Sequence, residues 1–302
     1  MSNLRIRFCG QEMQNPIVAA SGTFSAVGSG KFYDFSRLGA VTTKGVAIDP
    51  WPGNPSPRIA ETRSGMLNAV GLENPGVDSF IQDELPPLRS AANSTKIIVN
   101  LAGRSIDEYV LAAEKLNSAD VDMLELNISC PNIKEGGIAF GTSAVMAEKV
   151  AKAVRKAVTK PLIVKLSPNV TDIAEIAKAA EAAGADALSM INTITGMRID
   201  VKNRRHILAN KTGGLSGPAI LPVAIRMVYQ VSSQVKLPII GMGGVASGED
   251  AAEFLMAGAT AVAVGTAALV EPAACVRILK ELEEFMYNYG YKDIDAIRNA
   301  LK

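Results

Sequence analysis

Short apolar runs in this chain end repeatedly in residues able to do chemistry: Ser21, Lys44, Asn100, Asn127, Lys165 and the pair Asn192-Thr193. Any one of them has a plain explanation, because a strand commonly ends in a polar residue that begins a turn. Six such ends together point to groups gathered from several strand tips around a polar ligand. Two further ends carry glycine instead, in Gly243-Gly244 and Gly265-Thr266. Glycine there removes side chains, so backbone N–H groups can close on an anion. Ser247, three residues before Asp250, supplies the capping box that opens the following helix. The glycines would also serve ordinary tight turns, but both pairs sit where barrels bind phosphate, after the last two strands.

Cys130 stands three residues past Asn127 in ISCPN, and Pro131 drives its backbone toward an extended conformation. A thiol of ordinary pKa, ~8.5, acts as a general base where neighbouring cations favour the thiolate, whereas a buried thiol without them is inert. Spacing leaves both readings open. The stretch after it, IKEGGIAFG, has two adjacent glycines and can move as a lid over the thiol.

The elements that must position these groups follow from the pattern of apolar runs. Candidate strands end near Ala20, Lys44, Asn100, Asn127, Lys165, Ile191, Met242 and Gly265, and helical periodicity fills the gaps, as over 107–116, 142–158, 172–183, 221–231 and 249–257. Eight β-branched runs alternating with helices specify an α/β chain folded as a single-domain (β/α)8 TIM barrel across 1–302. A doubly wound sheet would want GxGxxG after its first strand, where this chain reads SGTFSAVGSG. Leu38-Gly39-Ala40, Ala183-Gly184-Ala185 and Ala257-Gly258-Ala259 each place glycine where a helix is expected to end in the left-handed conformation before the next strand. Two stretches exceed a minimal barrel and should form insertions over its top face. Residues 46–76 include a hairpin turning at Arg63-Ser64-Gly65, and 196–217 reads as a loop with a solvated basic cluster at Lys202, Arg204, Arg205 and His206, which is also suited to facing a partner protein.

Composition narrows the ligand. The 31 basic and 30 acidic residues among 302 nearly cancel, so no global field draws in a polyanion. Three widely spaced cysteines build neither a disulfide framework nor an iron–sulfur site, and the one histidine has no second to complete a zinc set, so no metal is expected. The amino terminus lacks the apolar core of a signal peptide, and the least polar stretch, AGATAVAVGTAALV, is shorter than the roughly 20 residues needed to span a bilayer. It reads instead as a buried strand with the start of a helix, and the expected location is the cytoplasm.

Several long motifs, taken in order, resemble one family over essentially the full length. ISCPNIKEGGIAFG, GGLSGPA and GMGGVASGEDAAEFLMAGATAVAVGT are similar to the class 1 dihydroorotate dehydrogenases, most of all to the class 1B catalytic subunit. The resemblance implies oxidation of (S)-dihydroorotate to orotate in the biosynthesis of UMP. Cys130 would remove the proton from C5 while N5 of one FMN per chain accepts hydride from C6. It assigns FMN to Ser21, Lys44, Gly45, Asn100, Asn127, Lys165, Ile191, Gly217, Gly243, Gly244, Gly265 and Thr266, with Lys165 near the flavin N1 and C2 carbonyl, where a fixed ammonium stabilises the charge of the reduced ring. It assigns the pyrimidine and its carboxylate to Lys44, Asn68, Ala69, Val70, Gly71, Leu72, Asn127, Asn192 and Thr193. Asparagines suit a uracil-like ring of alternating donors and acceptors.

Electrons must then leave, and the chain has neither a dinucleotide fingerprint nor cluster-spaced cysteines. The class 1B likeness implies a second, iron–sulfur flavoprotein subunit carrying FAD and a [2Fe-2S] cluster that passes electrons to NAD⁺, around a homodimer core within a heterotetramer. The alternative is class 1A behaviour, a homodimer reducing fumarate. The membrane-bound quinone class fits less well, because its amphipathic extension is missing here and its base is serine where this chain has Cys130. A reading from another class remains: a phosphate-binding barrel without redox activity, in which Cys130 is structural.

Overall fold

The computed structural model describes residues 3–129, 134–135 and 138–301. Eight parallel strands close into a barrel, following one another in chain order: β1 (Ile17–Ala19), β2 (Ala40–Thr42), β3 (Lys96–Leu101), β4 (Met123–Asn127), β5 (Leu162–Lys165), β6 (Ala187–Met190), β7 (Ile239–Met242) and β8 (Ala261–Val264). β8 pairs with β1 to complete the ring. Most of these strands are buried along their whole length, which is why they read as continuous apolar runs and not as alternations. The expected strand ends fall within two residues of the observed ones.

Helices cover the outside. The helix Ala144–Ala157 buries Ala147, Val150, Ala151 and Val154, an i, i+3, i+4, i+7 stripe laid on the barrel. Helix starts are capped as the residue types require: Ser105 accepts from the Glu108 amide, Asp172 from that of Ala174 and Ser247 from that of Asp250. At Ser247 the capping box is complete, with the Asp250 carboxylate receiving the Ser247 N–H at 2.8 Å. The AGATAVAVGTAALV stretch forms β8 and the short helix Thr266–Val270. No helix among the described residues is long and apolar enough to cross a membrane.

Two of the three glycine exits take the expected left-handed conformation, Gly184 at φ +90° and Gly258 at φ +105°. Gly39 does not. Its neighbour is a short 3-10 turn, Phe35–Arg37, and glycine is needed for a different reason: a Cβ at position 39 would stand 2.0 Å from the Asn15 carbonyl oxygen.

The barrel's lower end is sealed by an amino-terminal hairpin, Ile6–Phe8 paired with Gln11–Met13. Phe8 and Met13 are fully buried and pack with the inward side chains Val18, Ile98, Met123, Ile163 and Ile240. Above the barrel, residues 46–76 do form the expected hairpin, Ile59–Thr62 with Gly65–Asn68, turning at Arg63-Ser64. The 196–217 stretch is more ordered than a loop. Ile194–Met197 pairs with Thr212–Ser216, which pairs in turn with Gly65–Asn68, so both insertions merge into one four-stranded antiparallel sheet. The basic cluster sits on a small side hairpin, Ile199–Asp200 with Arg205–His206, and its side chains are exposed.

Candidate active site

A cavity of about 1070 Å³ opens at the carboxyl ends of the strands, roofed by the insertion sheet. Ser21, Lys44, Gly45, Lys165, Ile191, Gly217, Gly243, Gly244, Gly265 and Thr266 line it. So do Asn68, Ala69, Val70, Gly71, Leu72, Asn127, Asn192 and Thr193. Residues more than 200 positions apart are brought to one wall because every strand delivers its tip to the same rim.

One end of the cavity is built from backbone. Gly243 and Gly244 have φ of +126° and +90°, and a Cβ on Gly244 would lie 2.8 Å from the Leu221 Cβ and 2.9 Å from its backbone nitrogen. Only glycine lets this turn press against the helix Leu221–Ser232 while presenting its N–H groups beside the start of the helix Gly248–Met256. Thr266 begins the next short helix, and its hydroxyl donates to Ser216 on the roof sheet at 2.8 Å. Gly217 is also left-handed, at φ +95°, and passes so close to Gly65 that a Cβ would sit 2.7 Å from the Gly65 Cα. The roof is thereby joined to the backbone-built end of the cavity.

The other end is a polar platform. Lys165 is nearly buried at the tip of β5, in register with Asn127 on β4 and Ser189 on β6. Asn127 accepts from the Ser129 hydroxyl at 2.6 Å and donates to the Asn100 side-chain oxygen at 3.3 Å. Asn192 donates to the Ser129 oxygen, and its own oxygen accepts from the Thr193 amide at 2.8 Å. Tyr109 donates to the Asn127 carbonyl at 2.7 Å and anchors the strand end from behind. Lys44 lies across the cavity, half exposed and 3.8 Å from Glu73, a carboxylate already paired with Arg58 at 2.6 Å. Burial pushes the nearby Glu84 carboxyl up from its ordinary range, with the Lys44 cation opposing that shift and Asp83 adding to it.

Among the described residues assigned from sequence, Asn100 alone does not reach the cavity wall. It is fully buried, one layer down, with its amide committed to Glu125 and Asn127. Cys130 lies outside the described residues, as do residues 131–133 and the adjacent glycines 136–137, so the thiol assigned there carries no geometry; of the assigned lid the structure describes a short hairpin, Lys134–Glu135 paired with Ile138–Ala139. Three residues not singled out in the sequence belong to the site. Ser129 links Asn127 to Asn192, Asn169 donates to the Thr193 carbonyl at 3.0 Å, and Glu125 sits beneath Asn100 and Lys165. Each has a period-two signal, since Glu125 and Ser129 flank Asn127 by two positions, and Ser167 and Asn169 follow Lys165 at two and four.

The cavity's donor set fits a phosphate-bearing flavin. Its glycine turn is closed to any Cβ but presents backbone amides, and a buried lysine and amides stand at the opposite end for a polar ring. Fold and site define a (β/α)8 barrel with a large polar and glycine-lined cavity across its strand tips. Comparison with known proteins narrows this further. The family described as dihydroorotate dehydrogenase matches residues 3–286. A protein of Alkaliphilus metalliredigens named "Dihydroorotate dehydrogenase B (NAD(+)), catalytic subunit" is 57% identical over 300 residues, covering 99% of each chain. Proteins of the same name from Lachnoclostridium phytofermentans and Geobacter metallireducens are 56% and 52% identical, again over 99% of this chain. The chain belongs to the dihydroorotate dehydrogenase family.

Proposed function

We propose that this chain is the FMN-bearing catalytic subunit of an NAD⁺-linked dihydroorotate dehydrogenase, oxidising (S)-dihydroorotate to orotate in pyrimidine biosynthesis. The observation that carries the reading is the cavity itself, which joins a glycine-built anion cradle to a lysine and asparagine platform within one continuous volume. Bound there, FMN supplies the hydride acceptor at its N5.

The chain's own residues divide the remaining work. Gly243, Gly244, Gly265 and Thr266 hold the phosphate through backbone N–H groups, with Ser21, Gly45, Ile191 and Gly217 shaping the walls. Lys165, nearly buried on the cavity wall, would supply a fixed positive charge to the ring as it gains electrons. Asn127, Asn192, Thr193, Asn68 and Lys44 hold the pyrimidine and its carboxylate, along the Ala69 to Leu72 stretch. Cys130 takes the C5 proton as the C6 hydride departs, so the C5–C6 single bond becomes double and charge balances. A separate electron-transfer subunit is in keeping with the name of the relatives, and we assign to it the FAD and [2Fe-2S] cluster that carry electrons to NAD⁺.

An anaerobic visible spectrum tests the core of this reading. The purified protein should be yellow and should bleach when dihydroorotate is added. A colourless protein, or a flavin untouched by dihydroorotate, refutes it. NAD⁺ reduction should be poor for the chain alone and appear with an iron–sulfur flavoprotein partner. Efficient turnover with fumarate by the isolated chain would favour the homodimeric alternative instead.

A further inference from the structure

Beneath the platform lies a carboxylate to which no role in the reaction has been given above. Glu125 points into the barrel from the middle of β4 and is 1% exposed. Its two oxygens meet three partners from three other strands. Asn100 on β3 donates to Oε2, Ser189 on β6 donates to Oε1 at 2.7 Å, and the Lys165 Nζ on β5 stands 3.6 Å from Oε2. An ionised carboxylate only accepts hydrogen bonds, and one so deeply buried is tolerated because donors and a cation surround it.

That acceptor-only character orders everything above it. Asn192 donates to Ser129, Ser129 to Asn127, Asn127 to Asn100 and Asn100 to Glu125. All four bonds run in one direction, from the cavity wall down to the carboxylate. Reversing the last link would oppose an acceptor to an acceptor, so Glu125 determines which end of each amide faces the cavity.

We infer that Glu125 is a positioning residue for dihydroorotate oxidation: its buried carboxylate holds the Lys165 ammonium beside the ring site, tempers that charge, and orients the Asn127 and Asn192 amides that meet the pyrimidine. The inference rests on the proposed flavin site. Glu and Lys together are neutral, so replacing only the carboxylate leaves an uncompensated cation next to the ring. Reduced flavin gains negative charge, and the uncompensated cation favours it.

The test is the midpoint potential of bound flavin in the Glu125→Gln holoprotein, measured by anaerobic redox titration. We expect the reduced form to gain about tenfold, a rise of about 30 mV for a two-electron couple. Glu125→Asp keeps the charge and should return more than half of that shift. The same Glu125→Gln step made on a Lys165→Met background should move the potential by less than a third as much, because a buried carboxylate left without its cation gives up the charge that the substitution would remove. In steady state, Glu125→Gln should raise the KM for dihydroorotate severalfold as the amides lose their fixed order. Should Glu125→Gln not fold, Ser189→Ala removes a donor to the same carboxylate, leaves more of its negative charge acting on Lys165, and should shift the potential in the opposite direction by less. An unchanged potential in Glu125→Gln, an equal shift with and without Lys165, or a failure of Glu125→Asp to rescue overturns the inference while leaving the flavin site intact. A wild-type protein that binds no flavin would instead overturn the proposed function.

Discussion

Thiol chemistry offers a sharp check on the site, because the three cysteines should differ in reactivity for reasons that can be worked out. Burial, helped by the Asp186 carboxylate, pushes the Cys9 thiol up to about 12, and its Sγ lies 3.7 Å from the Asp186 carbonyl as a weak donor. Burial raises Cys275 to about 11, with a hydrogen bond from Tyr33 partly opposing. At pH 8 the thiolate fractions are therefore about 10⁻⁴ for Cys9 and about 10⁻³ for Cys275, against about a quarter for a thiol of ordinary pKa ~8.5, the least expected of a base at Cys130. A more basic thiolate is the better nucleophile, which returns roughly 40-fold to Cys9 and roughly 13-fold to Cys275. The net advantage of Cys130 is then roughly 60-fold over Cys9 and roughly 20-fold over Cys275, before any steric shielding of the fully buried Cys275. Timed iodoacetamide labelling read by peptide mass spectrometry measures all three rates at once. Labelling of Cys9 should rise about tenfold per pH unit between 8 and 10, while that of Cys130 levels off above about pH 9. Orotate should protect Cys130 alone. If Cys9 or Cys275 were modified at pH 8 as fast as Cys130, or orotate protected neither position 130 nor the rate there, the thiol would not be the base facing the cavity.

Two further perturbations separate the floor of the barrel from its mouth. Phe8 is fully buried in the lower plug, so Phe8→Ala should cost about 3–5 kcal/mol and lower Tm by about 10 °C, seen by calorimetry, while the flavin content of the folded protein stays at one per chain. Gly244→Ala should do the reverse. Its Cβ would enter the start of the helix Leu221–Ser232 from a φ of +90°, so FMN should bind at least about tenfold more weakly in a fluorescence titration. Unaltered FMN affinity in that variant would place the phosphate elsewhere.

What could be read from the chain, and what could not, follows from how far away each residue's reason lies. The barrel strands were legible because a parallel strand covered on both faces is an uninterrupted apolar run, and the glycine turn at the cavity because Gly243-Gly244 precedes a capped helix within seven residues. The roof sheet was hidden for the opposite reason. Thr212–Ser216 carries Gly213 and Gly214, residues that ordinarily weaken a strand, yet a Cβ on Gly214 would stand 1.9 Å from the Thr193 hydroxyl and one on Gly213 2.7 Å from the Asn68 carbonyl. These glycines admit strands that arrive from elsewhere in the chain, a need no local pattern records. Gly39 deceived in the same way, since its neighbour Asn15 lies 24 positions back.

Glu125 shows the limit most clearly. In MLELN a single acid between leucines looks like a solvent-facing position, and only closure of the barrel brings Asn100, Lys165 and Ser189 around it. The residues that meet a ligand sit at strand ends and announce themselves by interrupting an apolar run. A residue that orients them sits one layer down, where its charge is stable only in company supplied by other strands. It follows that the direction of the Asn192–Ser129–Asn127–Asn100 chain is a property of the closed barrel and of no single motif. Any change that opens the contact between β4 and β5 should therefore disorder the asparagine platform before it disturbs the glycine turn, which is built locally from the end of β7 and its capped helix.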